Sequence, residues 1–139
     1  SSPATAKLTK LMVLASYGGP PANNALSKEA AMTPIYSEQA LTALIEQTPL
    51  VLVYFTGGTC AACWAIQGEL EKILADFPQV AAAEVSAETQ KALCAAYGVF
   101  AVPTALLFTQ GKEALRFGRH LDLGDFRRQL ARYQSLLAE

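Results

Sequence analysis

Leu50-Val-Leu-Val-Tyr-Phe55 is continuously apolar, the pattern of a central strand covered on both faces. Val80 to Val85 reads as another strand. Ala105-Leu-Leu-Phe108 and Glu113 to Phe117 read as a pair joined by the turn Thr109-Gln-Gly-Lys112, and Pro34-Ile-Tyr36 is a short strand candidate. Helical spacing takes over between these runs. Ser37 can cap a helix reaching Gln47, with Glu38 in its first turn and Leu41, Leu44 and Ile45 on one face. From about Cys60 to Phe77, Ile66, Leu70, Ile73, Leu74 and Phe77 form a second apolar stripe, and Pro78 ends the helix. Glu88 to Tyr97 is a helix stopped by Gly98. A last helix from about Asp122 turns Leu123, Phe126, Leu130, Tyr133 and Leu137 inward and leaves Arg127, Arg128 and Arg132 as a solvated basic side. The order βαβαβ, then ββα, predicts an α/β fold: a mixed β-sheet flanked by helices on both faces.

The first 33 residues do not share this regularity and read as a surface-packed N-terminal extension. Thr9 to Tyr17 suits a strand or a short helix, Gly18-Gly-Pro-Pro21 breaks any regular element, and Asn24 to Met32 suits one or two helical turns. Lys7-Leu-Thr-Lys10-Leu-Met-Val-Leu-Ala15 resembles a truncated signal sequence, but its apolar part is shorter than the roughly 7–15 residues of a real one. The expectation is instead that the chain starts after a removed signal or anchor, or with a tag scar at Ser1-Ser2.

Composition narrows the function classes. At 139 residues and 52% hydrophobic, the chain can bury a core without cross-links. Eleven lysines and arginines against twelve aspartates and glutamates leave a net charge of −1, which gives no basis for binding nucleic acid or a charged membrane surface. No apolar run approaches the roughly 18 residues needed for a membrane span. Three cysteines are too few for a disulfide scaffold and an odd number for full pairing.

Two of those cysteines carry the candidate chemistry. Cys60 and Cys63 follow the apolar strand and a Gly57-Gly58 turn, at the start of the second helix. A thiol there meets unpaired backbone N–H groups and the positive end of the helix dipole, which favour the nucleophilic thiolate. A partner three residues on lies one turn along the same face, near enough to close a disulfide. Cys63 falls on the apolar stripe and Cys60 at the helix end, so Cys63 is the expected buried thiol and Cys60 the accessible one. Cys94, among Leu93, Ala95 and Ala96, reads as a small packed residue, with a third redox-active thiol as the sharper alternative. His120, the single histidine, lies beyond the hairpin and reads as a surface residue.

A lone C-x-x-C serves zinc sites as readily as redox chemistry, but this chain has no second C-x-x-C and no paired histidine to complete a tetrahedral site. A C-x-x-C opening a helix after a buried strand, with Val102-Pro103-Thr104 forty residues on and a terminal hairpin carrying Gly111 and Gly118, is far more specific. On these residues the chain resembles the thioredoxin superfamily from 34 to 138. The resemblance implies an extension over residues 1–33 and a thioredoxin-like domain over 34–139. It implies a thiol–disulfide oxidoreductase in which Cys60 attacks, Cys63 resolves, and neither metal nor organic cofactor is needed. It also implies a cis Val102-Pro103 bond facing the cysteines, with Val102 and Pro103 contacting an extended substrate. The implied partners are a protein thiol or disulfide substrate and a separate redox protein that resets the pair.

The departures from the family pattern matter as much. Thioredoxins often carry Trp-Cys-Gly-Pro-Cys; here Thr59 and Trp64 flank the pair and Ala61-Ala62 separates it, so no powerful oxidant is expected. Trp64 either borders the substrate groove or simply packs. Tyr54 occupies the position of the family's buried aspartate, and Glu84 that of the lysine beside it. Glu84 is therefore the candidate for proton transfer from Cys63, the alternative being a carboxylate that points to solvent at the strand end. The unusual dipeptide and the aromatic after Cys63 lean toward a bacterial extracytoplasmic (periplasmic) member. Two other readings compete: an interaction module that kept the fold without turnover, and a carrier of Cu(I) between the two thiolates, an ion that soft sulfur suits.

Overall fold

The protein is described by a computed structural model covering residues 32–138. The readings for residues 1–31 lie outside the described residues. Among the described residues nine elements follow in order: β1 (Thr33–Pro34), α1 (Glu38–Gln47), β2 (Leu50–Thr56), α2 (Ala61–Leu74), β3 (Ala81–Ser86), α3 (Lys91–Ala96), β4 (Thr104–Thr109), β5 (Lys112–Phe117) and α4 (Leu123–Ala138). The strands form one sheet in the order β1-β3-β2-β4-β5. β3 runs parallel to both β1 and β2, while β4 is antiparallel to β2 and β5.

The period of two along the strands sorts the core into two layers. Val51, Val53 and Phe55 point to one face, where they pack with Leu41, Leu44, Leu93 and Val99 from α1, α3 and its exit loop. Leu50, Leu52 and Tyr54 point to the other, against Leu70, Leu74, Phe126 and Leu130 of α2 and α4. Every residue of β2 is buried, as its unbroken apolar pattern requires.

Local chemistry explains most boundaries. Ser37 caps α1, its hydroxyl accepting the Ala40 N–H at 3.1 Å. Asp122 does the same for α4, accepting the Asp125 N–H at 3.0 Å. α3 ends in a Schellman motif: the Val99 N–H reaches the Cys94 carbonyl and the Gly98 N–H that of Ala95, with Gly98 at φ +67°. The β4–β5 hairpin turns on Gln110 and Gly111, both at positive φ, as a two-residue loop compatible with strand twist requires.

Several boundaries differ from the sequence expectation, most by a residue. β1 is Thr33–Pro34 rather than 34–36, because Tyr36 is already exposed in the approach to α1, and Met32 is buried against the α2/α4 layer. Cys60 caps α2 rather than joining it, and the helix stops at Leu74, with turns at Phe77 and Val80 closing the descent to β3. Phe77 stays buried, so its hydrophobic position was informative although its helical state was not. α3 is shorter than 88–97, because the Ala87 N–H still bonds the Thr56 carbonyl at the end of β2 and a turn over residues 87–89 precedes the helix. The basic side of α4 is only partly solvated: Arg127 pairs with Asp76 at 2.8 Å and lies over the Phe77 ring.

The two-layer core makes a stability contrast along α4. Phe126 is fully buried, edge-on to Phe117 with 5.5 Å between ring centres, whereas Leu136 is exposed. Urea unfolding of Phe126→Ala should show a loss of about 3–5 kcal/mol, and Leu136→Ala should stay within about 0.5 kcal/mol of the parent. Comparable losses at the two positions would contradict this packing.

Candidate functional site

The site begins where β2 ends. The strand delivers the chain into the Gly57-Gly58 turn, and Cys60 takes an extended conformation to cap α2. Its sulfur accepts the Cys63 N–H at 3.1 Å. That contact satisfies a donor the helix start would otherwise leave free, and it offers the same donor to a Cys60 thiolate. Cys60 and Cys63 are joined as a disulfide with a Cα–Cα separation of 5.2 Å. Cys63 is fully buried and Cys60 partly exposed. The first turn of α2 contains no acidic residue to oppose the negative charge.

Val102 meets this turn from the other side. A Cβ built on Gly57 would lie 3.3 Å from Val102 Cγ2 and 3.9 Å from Cys60 Cβ, so the Val102 side chain closes over the glycine beside the cysteine. A larger residue at 57 would push the two apart. The Val102-Pro103 peptide bond is cis and Pro103 is buried. Trp64 is 60% exposed, which removes the core-packing alternative for it. His120 is exposed, and Cys94 is buried in the α1/α3 layer, where burial pushes its thiol pKa up.

A polar cluster lies on the α2 side of the sheet. Tyr54 and Glu84 are direct partners across β2 and β3. Tyr54 is buried and its hydroxyl donates to the Cys63 carbonyl at 2.7 Å. Burial, with the Glu84 charge adding to it, pushes the Tyr54 pKa up to about 12, so this phenol keeps the proton it donates to the Cys63 carbonyl. Glu84 is half-buried rather than turned out to solvent. Its hydrogen bond comes from the Gln67 amide at 3.0 Å, and the same amide reaches Glu71 at 3.4 Å. Burial pushes the Glu84 pKa up, the Gln67 bond opposes that, and the Glu71 charge adds to the rise. Gln67 did not stand out in the sequence, although its place four residues after Cys63 puts it one turn below on the same helix face. Glu88 was also missed: a Cβ on Gly58 would come 2.6 Å from its Oε1, so this carboxylate lies over the cysteine turn. Among the described residues no group of three or more His, Cys, Asp or Glu is placed to hold a metal ion.

Glu84 makes stability depend on pH in a defined direction. Its pKa in the fold lies above the unfolded value of about 4.3, so its contribution is fully favourable below that pH and is lost as pH rises through the folded value. Glu84→Gln should therefore melt higher than the parent at pH 7–8, and the difference should close as pH falls toward 4. Thermal melts across this range provide the measurement, and a pH-independent difference would be inconsistent with titration of a half-buried carboxylate.

Comparison with known proteins gives this geometry its context. The chain matches the family model described as Thioredoxin over residues 32–132. It is 28% identical over 105 residues to Thioredoxin-like protein YdfQ of Bacillus subtilis (strain 168), covering 76% of this chain and 94% of that one. It is 35% identical over 69 residues to a thioredoxin of Chlamydia caviae, covering 50% of this chain and 68% of the relative. Among solved structures, a mutant thioredoxin from Halobacterium salinarum NRC-1 superposes with a TM-score of 0.68 at 23% identity, over 77% of this chain and 94% of that one. Fasciola hepatica thioredoxin superposes with a TM-score of 0.65 at 26% identity, over 72% and 97%. With the match spanning both the sheet and the paired cysteines at the head of α2, the chain belongs to the thioredoxin family, whose general activity is thiol–disulfide redox chemistry.

Proposed function

We propose that this protein exchanges disulfides with polypeptide substrates through Cys60 and Cys63. One observation carries the reading: the two sulfurs are bonded to each other at a helix start, with one accessible and the other buried. In the reducing direction, the Cys60 thiolate attacks one sulfur of a substrate disulfide. The substrate S–S bond breaks, its other sulfur leaves as a thiolate, and Cys60 is held in a mixed disulfide. Cys63 then loses its proton and attacks the Cys60 sulfur. The second substrate thiolate leaves, and Cys60 and Cys63 end as a disulfide. Two electrons have passed to the substrate, and a separate redox protein returns the pair to the dithiol. The same steps reversed would oxidise a substrate dithiol.

Supporting roles follow from position. Val102 borders the cysteine turn and, with Pro103 after it, supplies backbone for an extended substrate, and Trp64 offers an exposed aromatic surface beside Cys63. Glu84 receives the Cys63 proton. Tyr54 cannot serve, since it holds its own proton and spends it on the Cys63 carbonyl. A carboxylate whose pKa burial raises toward neutrality is better matched to that step. An extracytoplasmic bacterial compartment belongs to the same reading, supported by the Ala61-Ala62 dipeptide and Trp64.

Cys63→Ser should accumulate mixed disulfides with protein substrates, seen on non-reducing gels, and Cys60→Ser should accumulate few. The full chain should accelerate the reduction of insulin by dithiothreitol; without acceleration the proposed turnover fails and the binding-module alternative gains. Glu84→Gln should slow resolution of the mixed disulfide by about tenfold or more, the scale of a lost general base, while the first attack by Cys60 changes less. Stopped-flow traces at pH 6–8 separate the two steps, and identical resolution rates would remove Glu84 from the mechanism.

A further inference from the structure

β5 contains a device that the redox reading leaves unused. Pairing runs Leu107 to Leu115 but Phe108 to Glu113, so Ala114 is an extra residue in the strand. In a regular strand, residues 113 and 116 would point to opposite faces. The bulge shifts the phase by one and turns Glu113 to the same side as Arg116. The two form a fork, with Arg116 Nε and Nη2 donating to the two Glu113 oxygens at 2.9 Å each. The guanidinium also bonds the end of α3. Nη2 donates to the Tyr97 carbonyl at 2.8 Å and Nη1 to the Gly98 carbonyl at 3.0 Å. These are acceptors that a helix end leaves without intrahelical partners.

The anchored backbone leads directly to the site. From Gly98 the chain passes through Phe100, 84% exposed, to Val102, which closes over Gly57 beside Cys60. Pro103 follows, and its carbonyl lies 4.0 Å from a Cβ built on Gly118, at the end of β5. An open cleft of about 280 Å³ lies between this segment and β5, lined by Val99, Phe100, Ala101, Thr104, Arg116 and Phe117. One end of the segment is thus pinned by charge-assisted bonds, and the other rests against the cysteine turn. A bidentate, multiply bonded arginine is suited to this task in a way that lysine is not.

We propose that Arg116, oriented by Glu113, is a positioning residue that fixes the Gly98–Val102 segment and so sets how firmly a polypeptide substrate is held beside Cys60. This rests on the assignment of Val102 and Pro103 to substrate contact above. The clamp is remote from both sulfurs, so its loss should weaken substrate binding and leave the sulfur chemistry alone.

The test compares a protein disulfide with a small one. For Arg116→Ala, KM for insulin should rise about tenfold, the scale of lost hydrogen bonds to a charged group, with kcat unchanged, as for lost uniform binding. The rate with 5,5′-dithiobis(2-nitrobenzoate), which needs only to reach a sulfur, should stay at the parent value. Glu113→Gln should shift KM the same way but less, since both carbonyl contacts remain. Arg116→Lys should recover only part of the binding. An unchanged KM for insulin in Arg116→Ala would overturn the proposal, as would equal losses on both substrates. Should the parent protein not turn over insulin, the proposed function falls and the clamp is read by hydrogen exchange. The Val99 amide should then exchange about tenfold faster in Arg116→Ala, and an unchanged rate would overturn the clamp as well.

Discussion

β2 is covered on both faces, and this constraint governs where the sulfur chemistry can occur. A strand buried on both sides admits one pleat phase, since a slip of one residue would exchange the two cores. That phase sends Val51, Val53 and Phe55 to the α1/α3 layer and Tyr54 to the α2 layer, where its hydroxyl meets the Cys63 carbonyl. The strand also aims the chain into the Gly57-Gly58 turn, so α2 starts beyond the C-terminal end of β2, with Cys60 partly exposed at its head. The asymmetry between the sulfurs is then a matter of helix geometry: Cys60 caps the end, while Cys63 is one turn in and faces the core.

Placing polar groups in that core imposes conditions on each of them. A phenol, an amide and two carboxylates meet between β3 and α2, and burial disfavours charge on Tyr54 and Glu84. Their bonds are complementary: Tyr54 donates to a carbonyl, and Gln67 donates to both Glu84 and Glu71. Tyr54 and Glu84 are in register across β2 and β3, so the phenol and the carboxylate share one face of the sheet.

The sequence made the sorting of the core legible, and physics explains which details it withheld. Helical periodicity distinguished Cys63 from Cys60, since one residue lay on the apolar stripe and the other at its end. Strand alternation placed Tyr54 and Glu84 in the central sheet. Glu84 could not be assigned to solvent or interior from pattern alone, because its exposure depends on the amide of Gln67, a contact between elements. The Arg116 clamp was hidden for a sharper reason. It depends on the bulge at Ala114, and an inserted residue in a strand leaves no mark in a five-residue alternation. Helix ends differ from the pattern where other backbone bonds decided them: a cross-strand bond from Ala87 to Thr56 and a turn bond from Phe77 to Leu74.

The central claim is that fold geometry divides one dithiol into an accessible, thiolate-prone sulfur and a buried one. The pH dependence of alkylation of the fully reduced protein, resolved by residue with mass spectrometry, tests it most directly. Cys60 should react first at every pH, with a midpoint below the roughly 8.5 of a free cysteine, while Cys63 and Cys94 remain protected until the protein unfolds. Equal rates at Cys60 and Cys63, or a Cys60 midpoint at or above that of a free thiol, would contradict the account.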